Sequence, residues 1–203
     1  MTTTNDSDTS AAEASAAVAG HYRIGGELTV RRMGFGAMRL PAAQWDGPAH
    51  DPVRSVAVLR RAAELGVNHI DTAAFYFFED IAANDLIRTA LHPYPDDLVI
   101  ATKVGPGRLP DGSWTDPAGP AELRAAVHRN LRELGRDHLD LVYLRFLRTD
   151  GPGEDRFATL AALRDEGLVR HLGPVRRIRS HPGGPRVFVL VSGVWRVEMQ
   201  GGG

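Results

Sequence analysis

Leu98-Val-Ile-Ala-Thr-Lys103 is an apolar run of strand length that closes on the only lysine of the chain. Every other basic side chain in a Lys+Arg total of 24 is an arginine. A guanidinium stays charged in a protein, whereas a lysine's pKa moves readily on burial. A second run, Asn68-His-Ile-Asp-Thr72, carries Asp71 and leads to Tyr76. A lysine at one strand end, with a carboxylate and a phenol at the end of another, is the set that acid catalysis through a tyrosine needs. On position alone, an ordinary lysine laying its stem along a strand terminus is the competing reading.

Outward from these runs, strand and helix patterns alternate. Gly25-Gly26 lies between His21-Tyr-Arg-Ile24 and Leu28-Thr-Val30, which predicts a hairpin. Arg32–Met38 reads as the first core strand. Asp51-Pro52 opens a helix that Gly66 ends. Asn68–Asp71 is the second strand, and Asp80–Leu91 the second helix, stopped by His92-Pro93. Leu98–Lys103 is the third strand. A long loop, Gly105–Pro120, holds Trp114, and loops of this length inside compact domains often carry function. Helices over Pro120–Leu134 and Glu154–Glu166, and strands over His138–Leu144 and Val169–Leu172, complete the pattern. Such alternation predicts an α/β fold with a parallel sheet. The candidate residues sit at the C-terminal ends of strands, where α/β folds keep their sites.

The 203 residues are 43% hydrophobic and 24% charged, with a formal net charge of −1. That is enough for one domain with a sizeable core. The charge gives no case for a nucleic-acid or membrane partner. The chain has no cysteine, which excludes disulfides, thiolate nucleophiles and Cys-type metal sites; no metal is expected. Residues 1–20 are small and polar and read as a disordered tail without a secretory signal. A cytoplasmic location is the expectation.

Taken in order, several segments resemble the aldo-keto reductase superfamily. They are Gly34-Phe-Gly-Ala-Met38, Asn68-His-Ile-Asp-Thr-Ala-Ala-Phe-Tyr76, Asn84, Ala101-Thr-Lys103, Leu131-Arg-Glu-Leu-Gly-Arg-Asp-His-Leu-Asp140 and Asp165-Glu-Gly-Leu-Val-Arg-His-Leu-Gly173. The resemblance implies a TIM (β/α)8 barrel that transfers hydride between NADP(H) and a small-molecule carbonyl. It makes Tyr76 the acid and Lys103 and Asp71 the charged pair beside it. It places Gly36, Ala37, Met38 and Asp71 at the cofactor, and Phe77 and Trp114 at the substrate pocket. A nearby ammonium favours the phenolate and would make the phenol a better proton donor.

The chain also departs from the family. The fourth family position is usually a histidine; here Arg145 aligns, as in a subset of members. It could hydrogen-bond a carbonyl or simply face solvent. The residue after the tyrosine is usually glycine; here it is Phe77, which narrows the pocket. The match runs from about Tyr22 to Gly173, within a partial barrel expected over residues 21–173. From Pro174 onward it stops, leaving a basic stretch over 174–203. The expectation is therefore an incomplete barrel of five family strands, with Arg186–Ser192 as a sixth. The break reads as a truncation or a shifted reading frame that removes much of the cofactor-binding half. The competing function is a non-catalytic remnant or nucleotide-sensing partner protein on the same fold. The oligomeric state is not fixed by the sequence.

Overall fold

The computed structural model describes residues 15–43, 47–109, 111–115, 118–146 and 153–176. In chain order the elements are β1 (His21–Ile24), β2 (Leu28–Arg31), β3 (Phe35–Gly36), α1 (Pro52–Glu64), β4 (His69–Asp71), β5 (Phe77–Phe78) and β6 (Ile81–Ala82). They continue with α2 (Ala83–Leu91), β7 (Val99–Val104), α3 (Pro120–Leu134), β8 (Leu139–Phe146), α4 (Glu154–Asp165) and β9 (Val169–Arg176). One sheet runs in the order β3-β4-β7-β8-β9, and each neighbouring pair is parallel. Each β-to-β step in it crosses over through a helix, as parallel strands require.

Local chemistry sets the helix ends. The Asp51 side chain accepts from Val53 N at 3.0 Å, and Pro52 occupies the first turn of α1. Pro120 opens α3, and Gly135 closes it at φ 64°, a left-handed conformation that glycine adopts without cost.

The two faces of the sheet do different work, because successive strand residues point to opposite sides. Ile70, Ile100, Val142, Leu144 and Leu172 pack into the cluster that holds helix residues such as Leu59, Ile87, Leu123 and Leu160. On the other face Val99, Ala101, Leu141 and Tyr143 pack against Ile24, Leu28 and Val30 of the β1–β2 hairpin. The hairpin is tied down: Arg31 N donates to Asn68 Oδ1 at 2.8 Å, and His171 Nδ1 lies 3.4 Å from Glu27 Oε2. Asp71, Lys103 and Arg145 belong to this second face, at the C-terminal ends of their strands.

The Arg136-Asp-His-Leu-Asp140 segment has a structural explanation. The buried Asp140 carboxylate accepts from Ile100 N at 2.9 Å and pairs with Arg136, and His138 Nε2 lies 3.6 Å away. It fixes the start of β8 against β7.

Four expectations need correction. The first core strand is only Phe35–Gly36, and Ala37–Arg39 form a 3-10 turn that puts the Ala37 methyl in the core. The second helix begins at Ala83, because residues 77–82 form the β5–β6 hairpin with Glu79 at φ 50° in its turn. Residues 15–20, assigned to the tail, are ordered: Ala16 is buried and its N–H donates to Leu65 O at 2.7 Å. The fifth sheet strand runs past Gly173 to Arg176 and pairs with β8 throughout. The rest of the expected tail, with the proposed strand at 186–192, lies outside the described residues, as do residues 1–14.

Candidate active site

The site is built at the ends of β4, β7 and β8. Asp71 on β4 stands in register with Ala101 of β7, two residues before Lys103 and on the same face. This offset lets the long lysine side chain reach sideways. Lys103 Nζ lies 2.5 Å from Asp71 Oδ1 and donates to Thr72 O at 3.1 Å. The pair is largely buried, with side-chain exposures of 10% and 23%. That is shielded enough for an unpaired charge to be costly.

Tyr76 follows in the segment after β4, turned back by a bond from its N–H to Ala73 O at 2.9 Å. Lys103 Nζ lies 5.0 Å from the centre of its ring. The sequence suggested that the ammonium lowers the phenol's pKa. Burial pushes it the other way and prevails, so Tyr76 lies above the ordinary value of 10.0. Lys103, by charge and as a hydrogen-bond donor, and Arg145, by charge, oppose that rise, while Asp71 adds to it. At neutral pH the group is therefore a protonated phenol beside two cations that favour its conjugate base.

Arg145, in register beyond Lys103's neighbour Tyr143, faces the aromatic residues. Its guanidinium lies 3.7 Å from the Trp114 ring centre and 5.1 Å from that of Phe75. Phe75 packs edge-on against Trp114 at 5.4 Å and against Tyr76 at 5.2 Å. The loop reaches this position by a tight path: Gly105 has φ 133°, and a Cβ there would stand 2.7 Å from Arg145 O. Arg108 pairs with Trp114 across a small loop hairpin, and its Nη1 donates to Phe77 O at 3.0 Å.

Asp71, Tyr76, Lys103, Arg145 and Trp114 are thus brought into one neighbourhood. Phe77 sits in β5, its ring 5.5 Å from the Arg108 guanidinium, and Phe75 is the residue that packs on both Tyr76 and Trp114. Gly36 is exposed, in register with Asp71, and has open space where a side chain would be. Met38 is half-buried beside it, whereas the buried Ala37 can offer only backbone. Asp71 Oδ2 is buried without a hydrogen-bond donor. Open space and an unused buried acceptor fit one side of a nucleotide cofactor. Sequence reasoning missed Phe75's role. Its signal was the four consecutive aromatics Phe75-Tyr-Phe-Phe78.

His69 lies on β4 two residues before Asp71, and its Nε2 is buried without a partner. Burial lowers its pKa from 6.5, Asp71 opposes and Lys103 adds to the fall. A base depressed on folding contributes stability above its unfolded pKa and loses it as pH falls toward the folded one. Unfolding free energy from urea melts is expected to drop between about pH 7 and pH 5, and the drop is expected to shrink in His69→Gln. Equal slopes in the two proteins would remove His69 from the account.

Among the described residues, no helix is long and apolar enough to cross a membrane. Nor is any group of three or more His, Asp or Glu among the described residues placed to hold a metal ion.

The aldo/keto reductase family profile matches residues 32–175. Pyridoxine 4-dehydrogenase of Escherichia coli is 47% identical over 154 residues, which are 73% of this chain and 53% of the relative. An uncharacterized oxidoreductase of Schizosaccharomyces pombe is 40% identical over 159 residues, 78% of this chain and 50% of the relative. The chain thus spans about half the length of the curated relatives it matches. A solved aldo-keto reductase from Bacillus halodurans in its holo form superposes with a TM-score of 0.65 and 28% identity. That superposition covers 77% of this chain and 50% of the other. An aldo-keto reductase from Klebsiella pneumoniae in complex with NADPH gives a TM-score of 0.59 at 28% identity, covering 76% and 48%. The parallel sheet and its crossover helices are therefore part of the TIM-barrel fold of those proteins.

Proposed function

Since the chain belongs to the aldo/keto reductase family of oxidoreductases, we propose that it carries the acid half of an NADP(H)-dependent carbonyl reductase site. Tyr76 is the proton donor. Lys103 and Asp71 are the charged pair beside it, Lys103 opposing and Asp71 adding to the rise that burial causes in its pKa, and Arg145 orients the carbonyl oxygen. The observation that carries this reading is the 2.5 Å Lys103–Asp71 contact directly beside the Tyr76 ring.

Gly36, Met38, the Ala37 backbone and Asp71 would hold the nicotinamide end of the cofactor, which when bound supplies the hydride. The chain's own part is protonic and steric. As negative charge grows on the carbonyl oxygen, Tyr76 gives it the phenolic proton, and Lys103 stabilises the phenolate left behind. Arg145 adds a fixed positive charge near the developing oxyanion. Phe75 and the partly exposed Trp114 would form aromatic walls beside Tyr76 and Arg145. A planar aromatic alcohol–aldehyde couple of the pyridoxine type suits these walls and matches the name of the Escherichia coli relative.

A second reading keeps the nucleotide and drops the chemistry: a nucleotide-sensing protein on the same fold. Its motive is that the family match ends at residue 175, so the described residues account for only one side of a cofactor site. One experiment separates the two. Pyridoxal reduction is followed by NADPH absorbance, with the 203-residue chain and with a chimera in which residues 1–175 continue into the second half of the Escherichia coli relative. Tyr76-dependent turnover in either supports catalysis. Saturable NADPH quenching of tryptophan fluorescence without turnover in either supports sensing.

The Trp114–Arg145 stack gives a sharper expectation. Cation–π contacts contribute about 0.5–2 kcal/mol depending on exposure, so Trp114→Ala should weaken substrate use by roughly three- to thirtyfold in kcat/KM. Trp114→Phe should recover part of this, because it keeps a π face for the guanidinium. An alanine variant with unchanged kcat/KM would remove Trp114 from the pocket.

A further inference from the structure

We propose that Asn84 and Asn130 are positioning residues that hold Asp71 and Lys103 in place from the helix-facing side of the sheet. The inference rests on the reading above, in which that pair serves Tyr76. It concerns residues on the opposite face, which touch neither the pair nor the pocket.

The link is strand alternation. Asp71 and Lys103 point to the hairpin-lined face, so the residues that follow and precede them, Thr72 and Thr102, point to the helices. There Thr72 Oγ1 donates to Asn84 Oδ1 at 2.8 Å, and Thr102 Oγ1 donates to Asn130 Oδ1 at 2.6 Å. Asn84 Nδ2 donates to Asn130 Oδ1 at 3.1 Å, joining the two hydroxyl–amide pairs into one chain. Both threonines and both asparagines are fully buried. Asn84 Nδ2 also donates to Glu133 Oε2 at 2.8 Å, and Asn130 Nδ2 donates to Ala126 O at 2.9 Å.

Core stability does not call for this arrangement. Asn130 lies within the buried stripe Leu123, Val127, Leu131 and Leu134 of α3, where a leucine would bury apolar surface without amide desolvation. What an amide pair adds is direction. Each bond accepts only a narrow range of geometry, and a buried hydrogen-bonded network rigidifies what it joins. Here it clasps the C-terminal ends of β4 and β7. The Thr72 carbonyl on that same strand end accepts from Lys103 Nζ, and Thr72 N donates to Ala101 O at 2.8 Å. The clasp extends to the acid's own segment. Glu133 Oε1 accepts from Arg129 Nε at 2.5 Å, and Arg129 Nη2 donates to Ala74 O at 3.4 Å, two residues before Tyr76. Functional groups need to be held within about half an ångström of their working geometry, and that precision comes from such supporting shells.

Lys103 is the only side-chain amine in the protein, so its acetylation reads its own geometry without interference. The full chain is treated with the N-hydroxysulfosuccinimide ester of acetic acid, and modification of the Lys103 peptide is followed by mass spectrometry. No cofactor or turnover is involved, so failure of the proposed catalysis would leave this result unchanged. Thr102→Val removes one hydroxyl at nearly constant volume. It should accelerate Lys103 acetylation about tenfold, the factor implied by one lost buried hydrogen bond. Thr102→Ser, which keeps the hydroxyl, should stay near the wild-type rate. Asn130→Leu repeats the test from the helix side, so loss of folding in one apolar variant leaves the other to decide. A folded Thr102→Val or Asn130→Leu protein that melts lower but acetylates at the wild-type rate overturns the proposal, because the network would then only stabilise. Equal acceleration in Thr102→Val and Thr102→Ser overturns it too, and so does loss of folding in both apolar variants.

Discussion

Tyr76→Phe is expected to lower the rate of carbonyl reduction by about 10²–10⁴-fold, the usual worth of a positioned general acid. The substitution removes one oxygen and keeps the ring that packs edge-on against Phe75 at 5.2 Å, so the fold should survive it. The same residue sets the pH dependence. Burial holds the phenol above 10.0 while Lys103 and Arg145 pull against that rise. The protonated form that donates is therefore present throughout the neutral range. Reduction should stay flat with rising pH as far as Tyr76 is concerned and fall only above the ordinary phenol range. Oxidation of the alcohol, which needs the phenolate, should rise as the reduction rate falls. The test is kcat against pH in both directions for whichever of the chain and the chimera turns over. A phenylalanine variant with wild-type kcat would end the assignment of Tyr76 as the acid.

Much of the frame behind that site was legible in the sequence. The Asp51-Pro52 start of α1, the Gly135 stop of α3 and the apolar run into Lys103 each carry a local signal, and each element lies where its signal put it. The meeting of Asp71 with Lys103 followed from strand order alone, since parallel neighbours bring their C-terminal ends together. What escaped reading has no local signature. The β5–β6 hairpin turns at Glu79 with φ 50°, where glycine or asparagine would have announced the turn. Ala16 is packed because Leu65 offers it a carbonyl, a contact between segments with no common pattern. The Trp114–Arg145 stack joins a loop to a strand end 31 residues on, and neither residue type implies the other. Asn130 could have been found. An asparagine three residues after Val127 in an otherwise apolar stripe breaks the helix pattern, and buried polar exceptions of that kind often mark a supporting network.

The second large effect concerns stability and comes from the same pair. Lys103→Met should destabilise the protein by about 3–5 kcal/mol, the range for removing one partner of a buried ion pair. Asp71 keeps 23% side-chain exposure, which argues for the lower end. The cause is the carboxylate left behind. Its Oδ1 loses the ammonium at 2.5 Å, and its Oδ2 already lacks a donor. Asp71→Asn should cost less, because a neutral amide remains and Lys103 keeps its bond to Thr72 O at 3.1 Å. The double variant separates pair strength from orphan cost. If the loss in Lys103→Met is mainly the stranded charge, Asp71→Asn in that background should restore about 1–3 kcal/mol, a non-additivity expected of groups in contact. The double variant should then lie about 2 kcal/mol below wild type and be catalytically dead, since neither side chain could serve Tyr76. Urea midpoints at constant m-value decide the matter. Single-variant losses that simply add would mean that the pair contributes no mutual stabilisation, and a double variant that still reduces carbonyls would separate the pair from the chemistry of Tyr76.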